Sequence, residues 1–143
     1  IGIAADNDLV LNLNHAEKDQ RMIIFDDAHK LGVKGYVYGF RTTFGAHGYA
    51  TEDQWLELAK KGFKFGPSHG TLFGSSEVFN QTWNLMQKIG VENLVSCTDL
   101  NNWGLTHPVD GLRAGMVRLL TQGMSENDIE TMFKINSAKL LGL

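Results

Sequence analysis

Ala28-His29-Lys30-Leu31-Gly32-Val33, Leu58-Ala59-Lys60-Lys61-Gly62-Phe63 and Leu85-Met86-Gln87-Lys88-Ile89-Gly90-Val91 are three versions of one phrase. Each closes an amphipathic helix with a basic residue, turns at Gly and opens an apolar strand. The lysines suit the negative end of a helix dipole. Each Gly suits the left-handed position just past a helix end, where a β-carbon is penalised. Leu119-Leu120-Thr121-Gln122-Gly123 closes a fourth helix in the same way. The phrase recurs about every 30 residues, the length of one βα unit.

Working outward, strands are expected at 9–14, 36–40, 63–67 and 94–98, with helices near 18–31, 52–61, 77–89 and 112–122. Thr51 offers an N-cap before Glu52, and Ser75 and Ser76 offer one before Glu77. Ser125-Glu126-Asn127-Asp128 opens one last helix through Ile129, Met132 and Phe133. Parallel βα order allows an open sheet with helices on both faces or an arc of a barrel. An open nucleotide-binding sheet needs a glycine-rich turn after its first strand. Here that strand runs into Asn14-His15-Ala16-Glu17-Lys18, so the barrel arc is favoured. The expected fold class is α/β. Residues 1–143 form one unit, the C-terminal half of a TIM-like (β/α)8 barrel with an extra C-terminal helix.

Bulk composition excludes several classes. A 143-residue chain with 43% hydrophobic and 20% charged residues builds an ordinary globular core. A net charge of −3 provides no basic footprint for nucleic acid or an anionic membrane. No apolar run nears the roughly 20 residues that span a bilayer. Ile1-Gly2-Ile3-Ala4-Ala5-Asp6 has neither an initiator Met nor the pattern of a signal peptide, leading us to expect a processed chain or a fragment. The single Cys97 excludes an internal disulfide and fits a reducing compartment, so a cytoplasmic location is expected.

Ligands in parallel βα folds gather at the carboxyl ends of the strands. Those ends carry His15, then Arg41 and Thr42, then Ser68 and His69, then Asp99 and Asn101. Two histidines and an aspartate at one rim suit a divalent metal, namely zinc, manganese or iron. Each also has a plainer role: His15 or Asp99 as a cap, His69 and His47 as loop residues, Arg41 as a surface ion pair. His29, near a helix end, reads as a solvated or dipole-pairing residue. Cys97, inside an expected strand, reads as buried and inert. Trp55, Trp83, Met86 and Phe133 read as core. Neither a nucleophile elbow nor a Walker loop is present.

The last third of the chain carries a resemblance. Val95-Ser96-Cys97-Thr98-Asp99-Leu100, His107-Pro108-Val109-Asp110-Gly111-Leu112, Gly123-Met124-Ser125-Glu126-Asn127-Asp128-Ile129 and Asn136-Ser137-Ala138-Lys139-Leu140-Leu141-Gly142-Leu143 together resemble the C-terminus of amidohydrolase-superfamily enzymes. Ser137 stands where that family usually has proline. The segment ending in His15 looks like the family's fifth strand. The resemblance implies a distorted (β/α)8 barrel whose one or two divalent metals activate water. It makes Asp99 a metal ligand and general base, and His15 a metal ligand. The family's sixth-strand histidine falls at Gly39-Phe40-Arg41, which has none, so either the metal set is altered or His47 reaches in. The remaining ligands would lie before Ile1.

Three functions follow as expectations. The first is part of a metal-dependent hydrolase of C–N or related bonds, completed by an N-terminal half. The second is a metal-free, barrel-derived binding or assembly module, and the third is a metal-dependent lyase or aldolase half. An arc of about four strands leaves sheet edges and an inner face open, so a complementary half-barrel chain or a second copy is expected as partner. A small-molecule substrate would meet Arg41, His69, Asn101, Asn102, Trp103 and His107, with the Arg41 fork receiving a carboxylate or phosphate.

Overall fold

The computed structural model describes residues 1–42, 49–101 and 104–143. His47, Asn102 and Trp103 lie outside them. The elements run α1 (Gly2–Asp6), β1 (Val10–Asn12), α2 (Lys18–Lys30), β2 (Lys34–Tyr38), α3 (Glu52–Lys60), β3 (Lys64–Gly66), α4 (His69–Leu72), α5 (Ser76–Ile89), α6 (Pro108–Gln122), α7 (Glu126–Glu130) and α8 (Asn136–Leu141). A π-helical turn at Thr131–Ile135 joins α7 to α8. The sheet is parallel, in the order β1-β2-β3, with Val10 opposite Lys34 and Tyr36 opposite Lys64. No helix among the described residues is long and apolar enough to cross a membrane.

The repeated glycine phrase works as hydrogen-bond accounting. Val33 N–H donates to Ala28 O and Gly32 N–H to His29 O, at 2.9 and 3.1 Å. Phe63 and Gly62 repeat the pair on Leu58 and Ala59, and Met124 and Gly123 repeat it on Leu119 and Leu120. These are Schellman closures, which satisfy carbonyls orphaned at a helix end and press the flanking apolar residues together. Gly32, Gly62 and Gly123 have φ of +69°, +87° and +109°. The partners they bring together, Val33 with Ala28 and Phe63 with Leu58, are all buried. Gly90 departs from the pattern: its N–H bonds Met86 O, and its ψ of 142° sends the chain into a 3-10 turn at Val91–Asn93.

Helices pack on one face of the sheet. Along β2, Gly35 and Val37 are buried while Lys34, Tyr36 and Tyr38 are partly open. The core is aromatic: Phe40 meets Phe65 edge-on at 5.6 Å, and Trp55 meets Phe65 at 5.9 Å and 83°. Burying each such ring is worth about 2–3 kcal/mol. The Trp55 indole N–H donates to Arg41 O at 3.0 Å, which fastens α3 to the end of β2.

The expected strand at 94–98 is not formed. Only Leu94 bridges to Phe65, in parallel, and Val95 N–H donates to Phe65 O at 2.9 Å. The neighbouring backbone groups are taken by the C-terminal elements instead. Buried Asn136 donates to Val91 O and Leu94 O at 2.8 and 2.7 Å, and Ser96 N–H donates to Met132 O. The last helix therefore holds the fourth segment beside β3 where a longer ladder was expected. Other boundaries shift by a few residues: β2 starts earlier and ends at Tyr38, before Gly39, whose φ is +64°. Pro108 begins α6 behind an N-cap at His107, four residues before the expected start.

Candidate functional site

The loop after β1 is fixed from beneath by Arg21, a residue the sequence reading passed over. Its side chain is 1% exposed. Nε donates to Leu13 O at 3.1 Å, Nη2 to Ala16 O at 2.7 Å and Asn14 O at 3.4 Å, and Nη1 to Tyr49 O at 3.1 Å. The guanidinium also lies 5.7 Å from the Trp55 ring. Burial lowers its pKa, and Glu17 opposes that shift. Arginine still stays charged, so carbonyl dipoles carry its solvation. His15 sits in the middle of this clamped loop, with its side chain exposed.

Asn14, next to it, is buried, and its amide replaces a rung of the ladder. Nδ2 donates to Tyr38 O at 2.6 Å and Oδ1 accepts from Tyr38 N–H at 2.9 Å. Tyr38 and Tyr36 lie on the same face of β2 because strand side chains alternate. Gly66 stands opposite Tyr38 on β3. A β-carbon on Gly66 would collide with the Tyr36 hydroxyl and come within 2.7 Å of Val95 O. The missing side chain lets β2 reach across β3 to the fourth segment. There the Tyr36 hydroxyl comes under the influence of Cys97, and the Tyr38 hydroxyl under that of the Asp99 charge.

The chemistry of these pairs follows from their shielding. Cys97 keeps part of its surface open, yet burial of the thiol pushes its pKa up to about 11. It is therefore a poor nucleophile, as the sequence suggested, though neither in a strand nor fully buried. Burial also raises the Tyr36 hydroxyl, with Cys97 adding to the shift. By distance and angle that hydroxyl meets no full hydrogen-bond partner, since a thiol is only a weak acceptor. Tyr38 is raised by burial first, then by the Asp99 charge. Asp99 is exposed and has φ of +58°, a left-handed conformation uncommon outside Gly, Asn and Asp.

Of the other candidates, Arg41 and His69 follow β2 and β3, while Asn101 and His107 follow the fourth segment. Arg41 is partly buried, bridges to Tyr49, and has a buried Nε with no acceptor. His69 is half-buried as the first residue of α4, its N–H donating to Thr98 O at 2.9 Å. Its ring stacks on Phe73 at 4.5 Å, and its Nδ1 has no partner. Asn101 is exposed. His107 caps α6, with Nδ1 accepting from Val109 N–H at 3.3 Å. Trp103 lies outside the described residues. Among the described residues no group of three or more His, Cys, Asp or Glu gathers as a metal site. A signal for the missed tyrosines was present: Tyr36-Val37-Tyr38 alternates, which puts two phenols on one face of a strand.

This is a parallel α/β fold whose polar side chains collect beyond the carboxyl ends of its strands. No known protein family's sequence pattern matches the chain, and no curated protein matches it in sequence. Solved structures do match in fold. A metallo peptidase from Rhodobacter sphaeroides, bound to a phosphinate mimic of the dipeptide L-Ala-D-Ala, superposes with a TM-score of 0.73 at 18% identity, over 99% of this chain and 44% of that one. The dipeptidase AC, a metallo peptidase of family M19, superposes at 0.71 and 18%, over 99% of this chain and 46% of that one. The chain spans less than half the length of each.

Proposed function

We propose that residues 1–143 form one half of a metal-dependent (β/α)8 hydrolase barrel that acts on an amide or peptide bond of a small substrate. The observation that carries this reading is the fold likeness along 99% of the chain to two metallo peptidases. One of them is a dipeptidase and the other holds a dipeptide mimic, which makes small peptides the substrate class to test first. The complementary half would come from further polypeptide of the same protein or from a second chain.

A catalytic zinc takes three protein ligands and keeps one position open. In this reading His15 and Asp99 would supply two, and among the described residues no group of three or more His, Cys, Asp or Glu gathers. They do not make a complete metal site, so zinc, manganese or iron would need further donors from the complementary half. In this reading Asp99 takes a proton from the attacking water. Arg41 receives a substrate carboxylate through its planar fork, and its unpartnered Nε supports that role. His69, Asn101 and His107 would contact the substrate, and Trp103 is a further candidate for that role.

The test is hydrolysis of Ala-Ala dipeptides by the protein purified from its source, beside its Asp99→Asn variant, with metal content read on the same samples. A fall of about 10²–10⁴-fold in turnover is expected for loss of a general base. Unchanged turnover would remove Asp99 from the chemistry. A metal-free homo-oligomer with no hydrolysis would favour the assembly-module reading, for which the incomplete donor set argues.

A further inference from the structure

We propose that the groove between α4 and α6 is a binding site for a small carboxylate with an apolar body, of the medium-chain fatty acid kind, whose headgroup meets the Arg118 guanidinium. The site is separate from the strand-end residues and does not depend on the hydrolase reading.

The groove follows from the spacing of residues on α6. Ala114, Val117, Arg118 and Thr121 recur at three- and four-residue steps, which places them on one face of the helix. Gly115 lets that helix lie close to α4: a β-carbon there would stand 3.3 Å from the Leu72 side chain. Phe73, the residue that ends α4, completes the lining. The cavity measures about 420 Å³, within the range of small-molecule sites. Its apolar lining is open to water, with Val117 62% and Phe73 43% exposed. Apolar side chains grouped in this way gain by taking an apolar body out of solvent. Phe73 also stacks on the His69 ring at 4.5 Å, so the groove adjoins the candidate substrate residues without including any of them.

Charge sets the kind of ligand. The lining carries two arginines and no carboxylate. Arg113 is already paired with Asp110 at 2.9 Å, with both side chains exposed. Arg118 is different: among the described residues its guanidinium pairs with no carboxylate, and it lies 3.9 Å from the centre of the Phe79 ring. That stack occupies the flat face of the cation and leaves its in-plane N–H groups for an acceptor. A planar fork held against a ring loses little freedom when it receives a carboxylate bidentately. The apolar body of the ligand then lies along Ala114, Val117 and Phe73. An inorganic anion would use the arginine and leave the apolar floor in water, and an alcohol would do the reverse. Only a molecule with both parts uses the whole groove.

The experiment is isothermal titration calorimetry with sodium octanoate on the protein purified from its source, beside octanol and sodium acetate as separate ligands. Octanoate should bind once per chain, and octanol and acetate each at least about tenfold more weakly. Arg118→Gln should weaken octanoate by about tenfold or more and leave octanol unchanged. Val117→Glu, which sets a carboxylate in the groove, should remove octanoate binding. Ile23→Glu, at an exposed apolar residue of α2, should leave it intact, which separates this groove from general adsorption to apolar surface. Thermal melts show whether each variant is folded; if Val117→Glu is not, Arg118→Gln and the octanol comparison decide. Equal binding of octanoate and octanol would overturn the site, as would an Arg118→Gln variant that binds octanoate like its parent. So would an absence of binding, the result expected if a second copy or a partner polypeptide already covers Val117. Turnover plays no part in the readout, so the site stands or falls apart from the Asp99→Asn assay.

Discussion

The Tyr36 hydroxyl occupies the space that a β-carbon on Gly66 would need. One glycine on β3 thus decides whether β2 can reach the fourth segment. Gly66→Ala should cost about 1–3 kcal/mol through overpacking. Tyr36→Phe removes the colliding oxygen and an unsatisfied buried donor, so alone it should be neutral or stabilising by about 1 kcal/mol. In the double variant part of the Gly66→Ala loss should return, the remainder belonging to the approach of the new β-carbon to Val95 O. Urea unfolding of the four proteins measures this coupling, and strict additivity would mean that the two residues do not compete for space.

Arg21→Met should be among the most damaging single changes. It leaves the carbonyls of Leu13, Asn14, Ala16 and Tyr49 without their donor, at about 1–3 kcal/mol for each group that stays buried. Arg21→Lys should recover only part, because an ammonium lacks the fork that reaches several carbonyls at once. Thermal melts of the two variants give the order.

Alkaline pH should unfold the protein partly through Cys97. Its folded pKa of about 11 lies above the ordinary 9.0, so the folded state holds the proton more tightly than the unfolded chain does. The contribution is complete below about pH 9 and is lost as pH rises towards 11. Cys97→Ala should flatten the fall of stability across that window. An unchanged slope would assign the loss to other groups. Alkylation of the thiol by iodoacetamide at pH 8 should likewise be slow, and should speed up once the chain is unfolded.

Asp99→Gly should separate stability from function. A left-handed residue with a β-carbon carries about 1–2 kcal/mol of strain, less for Asp than for most. Glycine adopts the same φ of +58° freely. The variant should be as stable as the parent or slightly more so by urea unfolding, and should lose turnover as Asp99→Asn does. A clear loss of stability would show that the Asp99 carboxylate is a structural fastener.

Three of the four expected strands, and the helices between them, were legible from local signals alone. Gly32, Gly62 and Gly123 could be placed because a helix end needs a left-handed residue wherever it lies, and the Thr51 capping box and the Ser75 and Ser125 caps obey the same local chemistry. The places of His15, Arg41 and His69 after β1, β2 and β3 followed from that order, whereas Asp99 follows a segment that forms no strand. What stayed hidden depends on neighbours distant in sequence. Arg21 looks like an ordinary polar helix residue until Tyr49 and Trp55 close over it. The 94–98 segment has the composition of a strand, but Asn136 and Met132 claim its backbone from more than thirty residues away. Gly66 has no side chain to announce a partner; its purpose is the space it leaves for Tyr36, and only the packed sheet shows what fills it.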